Sequence, residues 1–278
     1  YTVTVTDSQG CTRTANVTIT APTPVTASAV GVNPLCNSGA NGTATATAGG
    51  GTPGYTYAWS NGQSTPTATG LSVGTYTVTV TDSQGCSRTT TVTLTQPTPV
   101  TASATGVNPL CNNAANGTAT VVGSGGTPAY TYQWSNSQTT ATATGLIAAT
   151  YTVTVTDTQG CSTTTSVTLN NPPPISASAT GVNPLCNNAA NGTATVTASG
   201  GTTPYTYQWI NNQTTATATG LIAGAYAVTV TDAQGCSTTT TVTLTQPTPV
   251  TASVTKTDPL CNNAANGTAT VTAGGGTP

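Results

Sequence analysis

The sequence returns to itself every 75 residues, and that period constrains the fold more than anything else in the chain. Trp59, Trp134 and Trp209 stand one period apart, as do Tyr1, Tyr76, Tyr151 and Tyr226, and Asp7, Asp82, Asp157 and Asp232. The eight cysteines form two series with the same step: Cys11, Cys86, Cys161, Cys236 and Cys36, Cys111, Cys186, Cys261. A tandem array of one small unit makes length and repeated surface rather than a reaction centre. The 278 residues start inside one unit, end inside another and include no Met, so they read as a stretch of a longer polypeptide.

Within a unit the pattern is that of strands. In Tyr76–Asp82 the side chains of Tyr76, Val78 and Val80 fall on one face and those of Thr77, Thr79 and Thr81 on the other. Ala44, Ala46 and Ala48 share a face, as do Tyr55, Tyr57 and Trp59, and Val92 pairs with Leu94. No segment has a helical period. Asp82-Ser83-Gln84-Gly85 suits a type I turn followed by a glycine bulge, with the Asp side chain accepting turn N–H groups. Six short strands, a Trp on the third and a tyrosine corner at Gly70–Tyr76 predict an all-β fold. The expected architecture is a tandem of immunoglobulin-like sandwiches forming an extended rod. Trp59, Trp134, Trp209, Tyr76, Tyr151 and Tyr226 are expected in the cores. Complete repeats are placed at 25–97, 100–172 and 175–247, joined by short proline-rich linkers, which are stiff. They are flanked by two closing strands at 1–22 and two opening strands at 250–278.

Composition removes several functions. Charged residues make up 3% of the chain, the net charge is −2, and there is no His. Phosphate neutralisation needs clustered Lys and Arg, so no nucleic-acid partner is expected. No stretch is apolar and long enough to insert in a membrane. With no His and with Lys256 the sole lysine, no nucleophile–base pair is available, and no enzyme, metal site or cofactor is expected. The Asn-Gly-Thr triplets at Asn41, Asn116, Asn191 and Asn266 match the glycosylation pattern but read first as turns before a strand.

An even number of cysteines without CxxC or His points to disulfides and an oxidising, extracellular setting. Two connectivities stay open. Cys36 lies between the first two strands and Cys86 between the last two, at opposite ends of a standard sandwich. The first choice therefore joins successive repeats, Cys36 with Cys161 and Cys111 with Cys236. The alternative closes each repeat on itself: Cys36–Cys86, Cys111–Cys161 and Cys186–Cys236.

The runs C-N-x-x-A-N-G-T-A-T, G-G-T-P-x-Y-T-Y-x-W-S-N and G-L-x-x-G-T-Y-T-V-T-V-T-D-x-Q-G-C resemble the SprB-type repeats found in very large surface adhesins of gliding Bacteroidota. The resemblance implies a cell-surface, extracellular protein exported by the type IX system and used in gliding motility. It carries no catalytic residues. The function it implies is a structural stalk or fibre segment of an adhesin, with a surface or glycan ligand held by a region outside this stretch. The competing expectation is a self-associating filament, in which like chains pack laterally through Thr-rich faces. Ser135-Asn136-Ser137 and Ile210-Asn211-Asn212 replace Ser60-Asn61-Gly62, which leaves open whether the three repeats share one turn there.

Overall fold

A computed structural model describes residues 1–276; Thr277 and Pro278, the end of the expected 250–278 segment, lie outside the described residues. Every regular element among the described residues is a strand. A first hairpin is β1 (Thr2–Thr6) and β2 (Thr12–Asn16). Then come β3 (Thr26–Val32), β4 (Gly42–Gly49), β5 (Thr56–Trp59), β6 (Thr67–Leu71), β7 (Gly74–Thr81) and β8 (Ser87–Leu94). One period later are β9 (Thr101–Val107), β10 (Gly117–Ser124), β11 (Thr131–Trp134), β12 (Thr142–Leu146), β13 (Thr150–Thr156) and β14 (Ser162–Thr168). The third set is β15 (Ser176–Val182), β16 (Gly192–Ser199), β17 (Thr206–Trp209), β18 (Thr217–Leu221), β19 (Gly224–Thr231) and β20 (Ser237–Leu244). The hairpin β21 (Thr251–Thr257) and β22 (Thr268–Gly274) closes the series.

The strands of 25–97 separate into two antiparallel sheets, β3-β4-β6 and β5-β7-β8. This is the immunoglobulin-like arrangement, in which the first, second and fourth of six strands face the third, fifth and sixth. The stretch 175–247 repeats it as β15-β16-β18 and β17-β19-β20. In 100–172 the pairings β10 with β12 and β11 with β13 recur.

Alternation decides which side chains are inside. Ala44, Ala46 and Ala68 from one sheet meet Trp59, Val78, Val80 and Leu94 from the other, all buried, while the intervening threonines stay at the surface. The alanines lie opposite the large residues, and Trp59 and Leu94, with Leu71 at the end of β6, fill a core that alanines alone could not. At Gly31 the core is tightly filled: a Cβ there would overlap Leu94 Cδ2, and the same holds at Gly181 against Leu244. Burial of Trp59 leaves no orphan donor, since its Nε1 donates to Thr65 O at 2.9 Å. Tyr151 is buried. Tyr76 and Tyr226 are half-buried at the core rim, and their hydroxyls donate to Ser72 O and Ile222 O at 3.1 Å. These are the expected tyrosine corners.

The loop after each Trp is one shared turn despite its differing residues. Gly62 N, Ser137 N and Asn212 N each donate to the Trp carbonyl three residues back at 2.9 Å, and all three residues have positive φ (87°, 70° and 68°).

By compactness the chain divides into two units that do not coincide with the period. The first holds Tyr1–Ser103, Val121–Ala141 and Thr152–Thr165; the second holds Ala104–Thr120, Thr142–Tyr151 and Ser166 onward. Each therefore contains a complete sandwich and part of the 100–172 repeat.

Candidate functional site at the junctions between repeats

In the first unit the link between repeats is the segment Thr95–Val100, and both of its halves are held. Asn33 accepts from Thr95 N at 2.9 Å and donates to Thr95 Oγ1 at 3.0 Å. Ser38 N donates to Gln96 Oε1 at 3.3 Å, and Asn37 Nδ2 donates to Pro97 O at 3.1 Å. Beyond Pro97 the following repeat takes over. Gly126 N donates to Thr98 O at 3.0 Å, and Gly125 lies so close to Pro99 O that a Cβ would overlap it. Gly125 and Gly126 both have positive φ (73° and 55°), so glycine suits them twice over. Tyr130 ties the same glycine loop down through a hydrogen bond from its hydroxyl to Gly125 O.

Asp157 is the keystone of this end. Its Oδ2 accepts from Thr127 N at 2.8 Å, and its Oδ1 accepts from Gln159 N and Cys161 N at 2.9 Å each. The turn closes as a type I turn with a glycine bulge: Gly160 N donates to Asp157 O at 3.1 Å and Asp157 N to Cys161 O at 2.9 Å. The hydrogen bond from Thr127 holds the Asp157 carboxyl below its ordinary value of 3.8. Burial opposes this, and the bonds from Cys161, Gln159 and Gly160 add to it. Asp82 and Asp232 are lowered in the same way, led by Thr52 and Thr202. With three N–H donors on its oxygens, this carboxylate serves the backbone rather than a cation.

The Asp157 turn delivers Cys161 to Cys36. They form a disulfide with S–S 2.08 Å and Cα–Cα 5.4 Å. The Cys36 loop is itself ordered by Asn41, whose Oδ1 accepts from Leu35 N at 3.0 Å, and by a turn with Ser38 at φ 60°. A crevice of about 340 Å³ lies beside the bond, lined by Asn37, Pro99, Val100 and Gly160.

The second unit repeats the junction. Asn108, Asn113 and Asn112 bond to Asn170, Asn171 and Pro172 O; Gly201 N donates to Pro173 O at 3.1 Å; and Asp232 holds the turn of Cys236. Cys111 and Cys236 form the second disulfide, with Cα–Cα 5.6 Å.

The structure thus brings together Cys36 with Cys161 and Cys111 with Cys236. The pairing inside a repeat does not form: Cys86 and Cys186 are free and exposed, and Cys36, Cys111, Cys161 and Cys236 are engaged elsewhere. The reason is the length of β8. The Cys36 loop is bonded to Thr95–Pro97 at one end of that strand and the Cys86 turn lies at the other, roughly 25 Å away at ~3.4 Å per residue. A disulfide spans at most ~7 Å between Cα atoms.

The SprB repeat family matches residues 28–64, 103–139, 178–214 and 253–278. This is a SprB-type repeat region. Each SprB match contains a loop cysteine and its asparagines, while the Asp-x-x-Gly-Cys turn lies outside every match, so each staple joins a matched segment to an unmatched one. No curated protein matches the chain in sequence. Among solved structures, the N-terminal eight immunoglobulin domains of Down Syndrome Cell Adhesion Molecule align over 99% of the chain with 11% identity and a TM-score of 0.32. The SprB region spans 54% of that structure's length. The Dpr2 complex with DIP-Theta aligns over 80% of the chain and 99% of its own, with 11% identity and a TM-score of 0.27.

Two of the 75-residue repeats also have grooves away from the junction. A shallow groove of about 620 Å³ runs beside β17 between Tyr207, Gln208, Thr215 and Thr229, and one of about 520 Å³ lies at Tyr132, Gln133, Thr139 and Thr154. Both linings are neutral. No helix among the described residues is long and apolar enough to cross a membrane.

Sequence reasoning placed the cysteines and the Asp turn but missed the asparagine clamp. The signal was present: Asn33, Asn108 and Asn183 recur with the period, as do Asn37, Asn112 and Asn187. In the 250–276 segment Lys256 and Asp258 replace the glycine and asparagine of the other repeats, and they pair with each other at 3.0 Å.

Proposed function

We propose that this region is a structural, non-catalytic stalk or fibre segment of a cell-surface adhesin, exported by a type IX route and supporting attachment and gliding. One observation carries the reading: Thr95, Gln96 and Pro97 are hydrogen-bonded to the repeat before and Thr98 to the repeat after, and a disulfide bridges the same junction. A linker anchored in this way resists bending and pulling, which suits a part that holds a distal ligand-binding region away from a cell. Disulfides favour an oxidising compartment, hence the extracellular placement. The test is labelling of intact, unpermeabilised source cells with an antibody to residues 25–247, together with attachment and gliding assays after deletion of the repeats. Surface labelling with lost attachment supports the reading, and label confined to permeabilised cells sinks it.

A second reading, lateral assembly of like chains, has its own observation. Thr75, Thr77 and Thr79 face Thr93, Thr91 and Thr89 across β7 and β8, an outward hydroxyl ladder without charge. Uncharged faces beside open sheet edges favour association. Sedimentation under reducing conditions, with a mass that grows with concentration, would favour this filament over an isolated stalk.

A further inference from the structure

A glutamine closes one side of the sandwich. Gln63, Gln138 and Gln213 stand one period apart, each shortly after the Trp of its repeat. In the first repeat this segment runs from β5 to β6, which are edge strands of the two sheets, each paired on one side only. The backbone carbonyl of Gln63 accepts from Trp59 N at 2.9 Å. Its side-chain amide reaches the other sheet: Nε2 donates to Thr69 O at 2.8 Å, and Oε1 accepts from Thr69 N at 3.0 Å. An amide that gives and takes one hydrogen bond at the same residue does what a neighbouring strand would do. Thr65 Oγ1 donates to Thr67 O at 2.6 Å, and Trp59 Nε1 holds Thr65 O, so the segment is fixed to both strands. The third repeat has the same geometry. Gln213 Nε2 donates to Thr219 O and Gln213 Oε1 accepts from Thr219 N, both at 2.9 Å, and Thr215 Oγ1 donates to Thr217 O at 2.6 Å.

The groups held in this way are those through which β6 would add another strand. Ala46 N donates to Pro66 O, and Ala44 lies opposite Ala68, so Pro66 and Ala68 turn their backbone toward β4. Thr67 and Thr69 alternate with them and turn theirs outward. Charges and prolines are the usual means of discouraging edge pairing, and β6 carries neither. With a net charge of −2 over the whole chain, repulsion between copies is small. A tandem array sharpens the problem. Once one repeat pairs with a second chain, the neighbouring repeats meet their partners at a high effective concentration.

We infer that Gln63 and Gln213 are edge locks: their side chains occupy the outward edges of β6 and β18 in place of a strand from a second copy of the chain. This goes beyond the stalk reading and narrows the lateral one. Like chains can pack through their hydroxyl faces, while the β6 and β18 edges stay closed to them. Both glutamines are half-buried and lie outside the Trp-centred cores, so the lock is separable from the packing that folds the repeat.

The test uses the full chain with its exposed free thiols alkylated, so that disulfide exchange contributes nothing. Gln63→Met with Gln213→Met removes both amides at nearly constant size. Gln63→Asn with Gln213→Asn keeps the polarity but is one methylene too short to reach Thr69 and Thr219. Trp emission reports whether the cores stay intact. In sedimentation velocity over a concentration series, both variants should associate at concentrations at least about tenfold below those needed by the unaltered chain. Adding Thr69→Pro with Thr219→Pro removes the outward N–H groups and should return both variants to the unaltered behaviour. Variants with intact cores and an unchanged mass at every concentration overturn the inference, and so does association that survives the prolines. Hydrogen exchange on the unaltered chain needs no variant. The Thr69 and Thr219 amides should exchange at least about tenfold more slowly than open amides, and exchange at the open rate refutes the lock.

Discussion

Pulling the chain by its two ends probes the staples directly, because the two disulfides interlock. The loop closed by Cys36–Cys161 and that closed by Cys111–Cys236 share residues 111–161. With both bonds intact, a fully unfolded chain is taut along 1–36, 111–161 and 236–278, about 130 residues or ~450 Å at ~3.5 Å each. Breaking either bond alone frees only about 25 more residues, ~90 Å, because the other bond still spans most of the same chain. Breaking both frees about 150 residues, ~500 Å. Force spectroscopy with peptide-tag handles would compare the chain, the Cys36→Ser/Cys161→Ser variant, and the chain under reductant. A small first increment and a large second one is the signature of bonds that run from repeat to repeat. Equal increments of about 50 residues per bond would mean independently closed repeats. No change on reduction would mean that no staple carries tension. Either result refutes the reasoning.

Three further outcomes are expected. Removing Cys36 and Cys161 together should cost about 4–5 kcal/mol, the loop-entropy value for closing some 60 residues if the first repeat unfolds alone or the full 125 if all unfold together. Urea titration followed by Trp fluorescence reads this, and a loss below about 1 kcal/mol contradicts the loop argument. The second concerns acid. Asp82, Asp157 and Asp232 have carboxyls held below 3.8 in the fold, so their contribution is present above the unfolded value and is lost as pH falls through the folded one. Asp157→Asn should be less stable at neutral pH and show a flatter stability profile between about pH 5 and 2; an unchanged profile argues against the keystone role. The third is a pair of backbone changes with opposite signs. Gly106→Ala would push a Cβ into Leu169 and should destabilise by about 1–3 kcal/mol. Ser137→Gly, at φ 70°, should stabilise by about 0.5–1 kcal/mol in the same titration.

Much of the fold was legible in the sequence because its causes are local. Alternation in Thr75–Thr81 depends only on neighbouring residues, and so does the Asp82–Cys86 turn, whose geometry follows from one Asp and one Gly at set offsets. The shared turn after each Trp was harder to read, since Ser137 and Asn212 hide a left-handed position that Gly62 announces. The asparagine clamp was not read at all. Asn33 and Thr95 are 62 residues apart, and nothing near either of them says that they meet.

By itself the sequence determined the period, the strands, the Trp-centred cores and the existence of two classes of cysteine. Only the tertiary structure decided which sulfurs meet and what holds the linkers. Those outcomes depend on which end of a sandwich each loop occupies, and that follows from splitting six strands between two sheets. Once β3 and β8 put the Cys36 loop beside Thr95–Pro97, the strand length of β8 takes Cys86 out of reach, and the chain leaving at Pro97 carries the next repeat's Cys161 to Cys36 instead.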